Sequence, residues 1–188
     1  GKVTYSETTP LIINGTVYVP FRFLVEGLGG TLAAEMKEDI LNVSAAFVRV
    51  TPSKSEARVA GITSRTDYLI WVSKSDFKVT LFKRKDGMWR EEGSYPCSIG
   101  ANATPTVEGE FEYFSKEKSW NYPTYYVGPI MRFYKGYALH STLLRYNGAV
   151  ADGRLGKKIS HGCVRLAPKD INYLVDTVPL YTKVYVTP

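Results

Sequence analysis

The sequence predicts a mainly β protein, a sandwich- or barrel-like domain with one C-terminal helix, preceded by a small α+β unit. Three observations carry this. From Asp67 onward, short runs of alternating apolar and polar residues recur between Gly, Asp and Asn turn signals. The 14 Tyr and the many β-branched residues favour strands over helices. Only Pro168–Val178, near the C-terminus, repeats apolar residues at helical spacing within that region. The 188 residues suffice for one ordinary domain and a small second one.

In chain order, Leu11–Val19 carries two β-rich runs around Asn14-Gly15, a strong hairpin signal. Pro20 suits a first helical position; Phe21, Leu24, Val25 and Leu28 follow at helical spacing, and Gly29-Gly30 ends the run. This stretch, Asn14-Gly15-Thr16-Val17-Tyr18-Val19-Pro20-Phe21-Arg22-Phe23-Leu24 with Leu28-Gly29-Gly30, resembles the copper amine oxidase N-terminal-like domain. The resemblance implies a wall-associated accessory module; no histidine here would ligate copper. Residues 45–66 break periodicity and read as a connection, so the expected units are 1–66 and 67–188.

In the second unit, Tyr68–Val72 is an apolar run, and Val79 and Leu81 alternate with Lys78 and Thr80. Asp86-Gly87 is a turn into a strand through Trp89 and Tyr95. Phe111 and Tyr113 alternate with Glu110 and Glu112, and Lys135-Gly136 joins Ile130–Tyr134 to Tyr137–Ser141. Gly128-Pro129 reads as a turn. Pro168 opens a helix with an Ile171, Leu174, Val175 and Val178 stripe, Pro179 stops it, and Thr182–Val186 is a last strand.

Composition narrows the function. No apolar run is long enough to span a bilayer as a helix, and no leader pattern opens the chain. The net charge of +6 suits an acidic surface such as an anionic wall polymer. The basic residues are scattered, however, which favours a generally solvated surface and no nucleic-acid partner.

Chemistry concentrates around one thiol. The chain has two histidines, His140 and His161, and both lie near Cys163 in sequence. A thiolate is a strong nucleophile and an imidazole the usual group that takes its proton, so acyl transfer is the leading hypothesis. If Ser160–Val164 is extended, His161 and Cys163 share a face, and Gly162 lets a substrate carbonyl approach the backbone. The second cysteine, Cys97, reads as a small buried hydrophobe. His161 and Cys163 lack further metal ligands at familiar spacing, so no metal and no organic cofactor is expected.

Ser160-His161-Gly162-Cys163-Val164-Arg165-Leu166, with His140-Ser141 upstream, resembles the signature of the L,D-transpeptidase catalytic domain. Thr104-Pro105-Thr106 followed by Gly109 and Phe111 is similar to a second family element, with Val107 and Glu108 inserted. The gap between His140 and Ser160 is a few residues longer than the family's, a difference assigned to the Asn147–Lys158 loop. The resemblance implies Cys163 as nucleophile and His140 as base. It implies that Ser141 orients His140 through its carbonyl, that His161 polarises the site, and that Gly162 and Cys163 supply oxyanion amides. Arg165 would brace the site or meet a carboxylate, and Trp120, Tyr125 and Tyr126 would line a donor groove. The implied partners are peptidoglycan stem peptides and carbapenem inhibitors, and the implied location is the cell wall or the outer face of the membrane. Two alternatives stand beside transfer: hydrolysis of the same acyl-enzyme, as an L,D-carboxypeptidase or endopeptidase, and a wall-binding module without catalysis.

Overall fold

In the computed structural model, which describes residues 11–13, 16–18, 25, 30–37, 40–47 and 52–188, Leu11–Ile13 (β1) pairs antiparallel with Thr16–Tyr18 (β2), Ile13 opposite Thr16. That register leaves two residues, Asn14 and Gly15, between the strands, as the hairpin signal predicts. Gly30–Lys37 (β3) and Ile40–Phe47 (β4) form a second hairpin that the sequence reading did not anticipate. Its Ala-rich runs carry little β signal. Of the helix expected after Pro20, Val25 is helical and the rest lies outside the described residues.

The chain divides into Gly1–Pro52 and Ser53–Pro188. The second unit opens with Lys54–Val59 (α1), started by a capping box. Ser53 Oγ accepts the Glu56 N–H at 3.2 Å, and the Glu56 carboxylate accepts the Ser53 N–H at 2.8 Å. Val59 is buried against Leu69, Phe82 and Trp89, and the Trp89 indole donates to the Ile62 carbonyl at 2.8 Å. Residues 53–66, read from sequence as connection, therefore pack on the second unit. A six-residue helix is too short to reveal its stripe through periodicity.

The strands that follow are Tyr68–Ser73 (β5), Lys78–Lys85 (β6), Met88–Gly100 (β7), Gly109–Glu112 (β8) and Ser115–Glu117 (β9). Next come Trp120–Asn121 (β10), Tyr126–Val127 (β11), Ile130–Tyr134 (β12), Tyr137–Ser141 (β13), Leu143–Leu144 (β14) and Val150–Asp152 (β15). Lys158–Ser160 (β16), Val164–Leu166 (β17), the helix Pro168–Thr177 (α2) and Lys183–Thr187 (β18) complete the chain. The large sheet runs β8-β18-β5-β6-β7-β17-β13-β12-β9, with β16 beside β7, and β10-β11-β14-β15 form a smaller sheet.

Asp86 and Gly87 both take positive φ, 52° and 75°, the turn geometry that Asp-Gly favours, and they set Lys85 opposite Met88. Helix α2 starts at Pro168, whose fixed φ and missing N–H cost nothing at a first helical position. Its Ile171, Leu174 and Val175 pack on Ile70, Val72, Leu81, Leu139, Val164 and Leu166. Each side chain so buried contributes about 1.5–3 kcal/mol. Period-two alternation then assigns the opposite face of the same sheet to Ala138 and His140 on β13, and to Arg165 on β17. The helix seals one face; His140 and Arg165 lie on the other.

Candidate active site

Strand pairing brings the thiol and one imidazole together. Strands β13 and β17 run parallel, with Leu139 opposite Val164 and His140 opposite Arg165. Leu139 and Val164 point into the α2-covered core. Arg165 therefore shares the outer face with Ala138 and His140, and Cys163, just before β17, packs against the Val127, Ile130 and Ala138 cluster on that face. The thiol donates to the Gly136 carbonyl at 3.6 Å.

His140 is 5% exposed. Its Nδ1 lies 2.7 Å from the Ser141 carbonyl oxygen. A carbonyl only accepts, so Nδ1 carries the proton and Nε2 keeps its lone pair. Burial pushes the imidazole down to about 4, the Ser141 carbonyl opposes this, and the Arg165 charge adds to the lowering. The ring is neutral at pH 7. Ser141 Oγ donates to the Thr142 carbonyl at 2.7 Å and accepts the Gly128 N–H at 2.9 Å. The serine thus ties β13, the strand of His140, to the cis Gly128-Pro129 bend.

The thiol is raised above its ordinary value, first by burial. The Ala138 backbone and the charges of Arg165 and Arg132 act in the opposite direction. The resting site therefore holds a thiol, not a preformed thiolate. A neutral imidazole offers no positive charge to hold a thiolate. Cys97 lies fully buried in the core, its thiol pushed up to about 12 by desolvation.

The Ser160–Val164 segment that carries Cys163 is bent rather than extended. Strand β16 ends at Ser160 and β17 begins at Val164, with Gly162 between them at φ +115°. A Cβ on Gly162 would also stand 2.6 Å from the Tyr137 ring. Glycine is required here by backbone conformation and by Tyr137, a different reason from carbonyl approach. The Gly162 N–H donates to Ser160 Oγ at 3.1 Å, so the amide expected to face a substrate oxygen is engaged within the loop. Ser160 Oγ in turn donates to the Cys163 carbonyl at 2.5 Å. His161 is exposed on this bend.

Thr106 supplies a brace that the sequence reading flagged as motif without a role. Its buried hydroxyl donates to the Gly162 carbonyl at 2.7 Å and accepts the Gly100 N–H at 2.9 Å. The Thr104 hydroxyl donates to the Ser160 carbonyl at 3.1 Å. The Thr-Pro-Thr element thus holds the loop that carries Cys163. The signal available in the sequence was the Thr104-Pro105-Thr106 element itself.

Around this centre, the Arg165 guanidinium lies 3.7 Å from Asp152, whose carboxylate is also gripped by Arg154. Arg165 Nε is buried and has no partner among the described residues. The Trp120 ring lies 5.9 Å from the His140 ring, and its indole donates to Glu117 at 2.6 Å. Tyr125 stacks on Tyr122, an aromatic the sequence reading passed over, with ring centroids 4.6 Å apart. Tyr126 behaves differently. Trp120 pairs with Val127, and Asn121 with Tyr126, so Tyr126 points to the opposite face of the small sheet from Trp120. Its ring meets Tyr146, 5.7 Å away. The structure thus gathers Cys163, His140, Arg165, Trp120 and Tyr125, and leaves Tyr126 apart.

Comparison with known proteins bears on the family and the fold. Residues 67–186 match the YkuD family, the L,D-transpeptidase catalytic domain. A Bacillus licheniformis protein assigned as a YkuD-type L,D-transpeptidase is 28% identical over 123 residues, 64% of this chain and 66% of that relative. An L,D-transpeptidase structure from Mycobacterium tuberculosis is 25% identical with a TM-score of 0.52, covering 65% of this chain and 58% of that one. An L,D-transpeptidase solved in complex with imipenem shares the fold, at 19% identity and TM-score 0.52, over 90% of this chain and 87% of that one. The chain spans 66% and 58% of the length of the first two.

Proposed function

The chain belongs to the L,D-transpeptidase catalytic domain family, and from that premise we propose that it is a cysteine acyltransferase acting on peptidoglycan stem peptides. Cys163 attacks the carbonyl carbon of the third residue of a donor tetrapeptide. The Sγ–C bond forms, the C–N bond to the terminal D-alanine breaks, and the thiol proton passes through His140 to the leaving amine. An acceptor amine then attacks the thioester, its proton goes to His140 and on to the departing sulfur, and a cross-link results. The overall exchange consumes no cofactor.

The observation that carries this reading is the pairing of His140 with Arg165 across β13 and β17, which sets the imidazole and the Cys163 thiol on one face. The tautomer fits the role. With Nδ1–H committed to the Ser141 carbonyl, Nε2 is the basic atom, and a neutral buried ring is ready to receive a proton. Because the thiol is raised, proton removal accompanies attack instead of preceding it. Arg165 stabilises the charge that develops on sulfur, and the Cys163 amide is the oxyanion donor we assign in place of the engaged Gly162 amide. His161, exposed on the bend, would meet the substrate's polar groups. A substrate of this kind sets the enzyme's work at the cell wall, outside the membrane. The imipenem complex of the related L,D-transpeptidase supports carbapenems as ligands of the same thiol.

Incubation with purified tetrapeptide muropeptides and mass spectrometry of the products tests the reading. Cross-linked dimers with loss of D-alanine are expected. Free tripeptide without dimers would assign hydrolysis instead, and unchanged substrate would leave a binding module.

A further inference from the structure

A second groove lies on the sheet face that carries the catalytic residues. Trp71 on β5 pairs with Thr80 on β6, and Thr80 pairs with Ser94 on β7, so the three form one row across the strands. All three lie on the face away from the α2-covered core, which Ile70, Val72, Val79, Leu81 and Tyr95 face. Helix α1 forms the far wall through Lys54, Ser55 and Arg58 of an open groove of about 820 Å³. The Trp71 indole is held at its edge by donation to Thr187 Oγ1 at 3.0 Å, and the Thr80 and Ser94 hydroxyls lie 3.3 Å apart.

The charges around the groove nearly balance. Lys54, Arg58 and Lys78 are exposed and form no ion pair among the described residues. Asp76 and Glu91 stand among them, each receiving one internal hydroxyl: Ser73 Oγ to Asp76 at 2.7 Å and Ser55 Oγ to Glu91 at 2.5 Å. A polyanion would meet two carboxylates here. A neutral polyhydroxy chain uses both signs, since its hydroxyls donate to carboxylates and accept from ammonium and guanidinium groups. Its apolar ring faces suit an indole.

We propose that this groove binds a glycan strand of N-acetylated hexosamines, the strand that bears the donor stem. This inference rests on the function proposed above. On β7 the same face continues through Pro96 to Ser98, which pairs with Arg165, which pairs with His140. Four residues along a strand and two strand spacings put Ser94 about 16 Å from His140. A three-residue extended peptide spans roughly 10 Å, and its attachment to the sugar adds more. A stem rooted in the groove thus delivers its third carbonyl to Cys163, crossing the 153–157 segment where Ser98 Oγ donates to the Arg154 carbonyl at 3.1 Å.

The test uses the full chain and amidase-trimmed, stem-free glycan strands. NMR titration should move the Trp71 indole N–H resonance and leave that of Trp120 in place. Trp71→Ala, and Ser94→Arg, which fills the groove from an exposed position, should each weaken binding about tenfold or more. In both variants turnover of glycan-linked donors should fall, while turnover of free tetrapeptide and carbapenem acylation of Cys163 stay at wild-type values. No shift of Trp71 at millimolar glycan, equal binding by Ser94→Arg, or binding of a phosphodiester polymer in place of the glycan would each overturn the proposal. Failure of Cys163 to acylate in the wild type would count against the thiol mechanism, and the titration would still decide the groove.

Discussion

Thr106 Oγ1 donates to the Gly162 carbonyl at 2.7 Å while accepting the Gly100 N–H at 2.9 Å, so one buried hydroxyl ties the loop that carries Cys163 to the end of β7. Gly100 has no room for a side chain there, because a Cβ would stand 2.1 Å from the Thr104 carbonyl oxygen. The brace is a fixed backbone-to-backbone link that passes through a single side chain.

Thr106→Val keeps the shape and removes the hydroxyl. It strands a buried carbonyl and a buried N–H, at a cost of about 1–3 kcal/mol in stability. Cys163 acylation should slow more than the loss of folded protein explains, and Thr106→Ser should restore both. Thermal unfolding and single-turnover acylation measure the two effects. A valine variant with wild-type acylation would show that the loop holds its shape without Thr106.

The roles of the two histidines separate by rate. His140→Ala should lower kcat/KM for stem-peptide transfer by about 10²–10⁴-fold, the usual loss of a general base. His161→Ala, at an exposed bend position, should cost far less. Cys163→Ala should abolish turnover, whereas Cys97→Ala, deep in the core, should keep it with some loss of stability. Slower acylation in His161→Ala alone would exchange the two assignments.

His140 also makes stability depend on pH. Its folded value of about 4 lies below the ordinary 6.5 because the ring is buried. The unfolded chain therefore binds a proton first as pH falls, so this stabilising contribution is fully present above 6.5 and is lost between 6.5 and about 4. The loss is on the order of 3 kcal/mol. Urea unfolding from pH 7 to pH 4, wild type against His140→Gln, isolates this contribution. An equal decline in both proteins would remove His140 as its source.

Much of the second unit was legible because its signals are local. Asp86-Gly87, Lys135-Gly136 and Pro168 each fix a turn or a helix start within a few residues, and Ile171, Leu174 and Val175 mark the helix face by spacing alone. The Ser160–Cys163 motif likewise stands out in the chain. What escaped depends on partners distant in sequence. Helix α1 is explained by Trp89 and Phe82, the glycine at 162 by Tyr137, and the engaged Gly162 amide by Ser160 folding back in a bend that the period-two reading took for a strand. The direction of the thiol shift depends on burial, which no motif encodes.

Residues 53–66 should matter for folding of the second unit. Removing them exposes Leu69, Phe82 and Trp89, which Val59 and Ile62 now cover. A 53–188 fragment should fold and be acylated at Cys163. A 67–188 fragment should be less stable by about 3 kcal/mol or more, the burial lost with Val59 and Ile62. Circular dichroism melts compare the two, and equal melting temperatures would contradict the packing argument.

The last prediction concerns carbapenems. Their strained lactam carbonyl offers the thiolate the same attack as a donor carbonyl: the Sγ–C bond forms, the lactam C–N bond opens, and the thiol proton ends on the ring nitrogen. Cys163, with His140 to take the proton and Arg165 beside the sulfur, should form one stable adduct of the intact inhibitor mass. Deacylation needs a water or amine held near Nε2 of His140, and the opened inhibitor occupies the approach past Trp120 and Tyr125. The adduct should therefore persist for longer than a turnover. Intact-mass spectrometry reads it directly. An adduct that survives Cys163→Ala, or none on protein that turns over muropeptides, would rule out this thiol as the target.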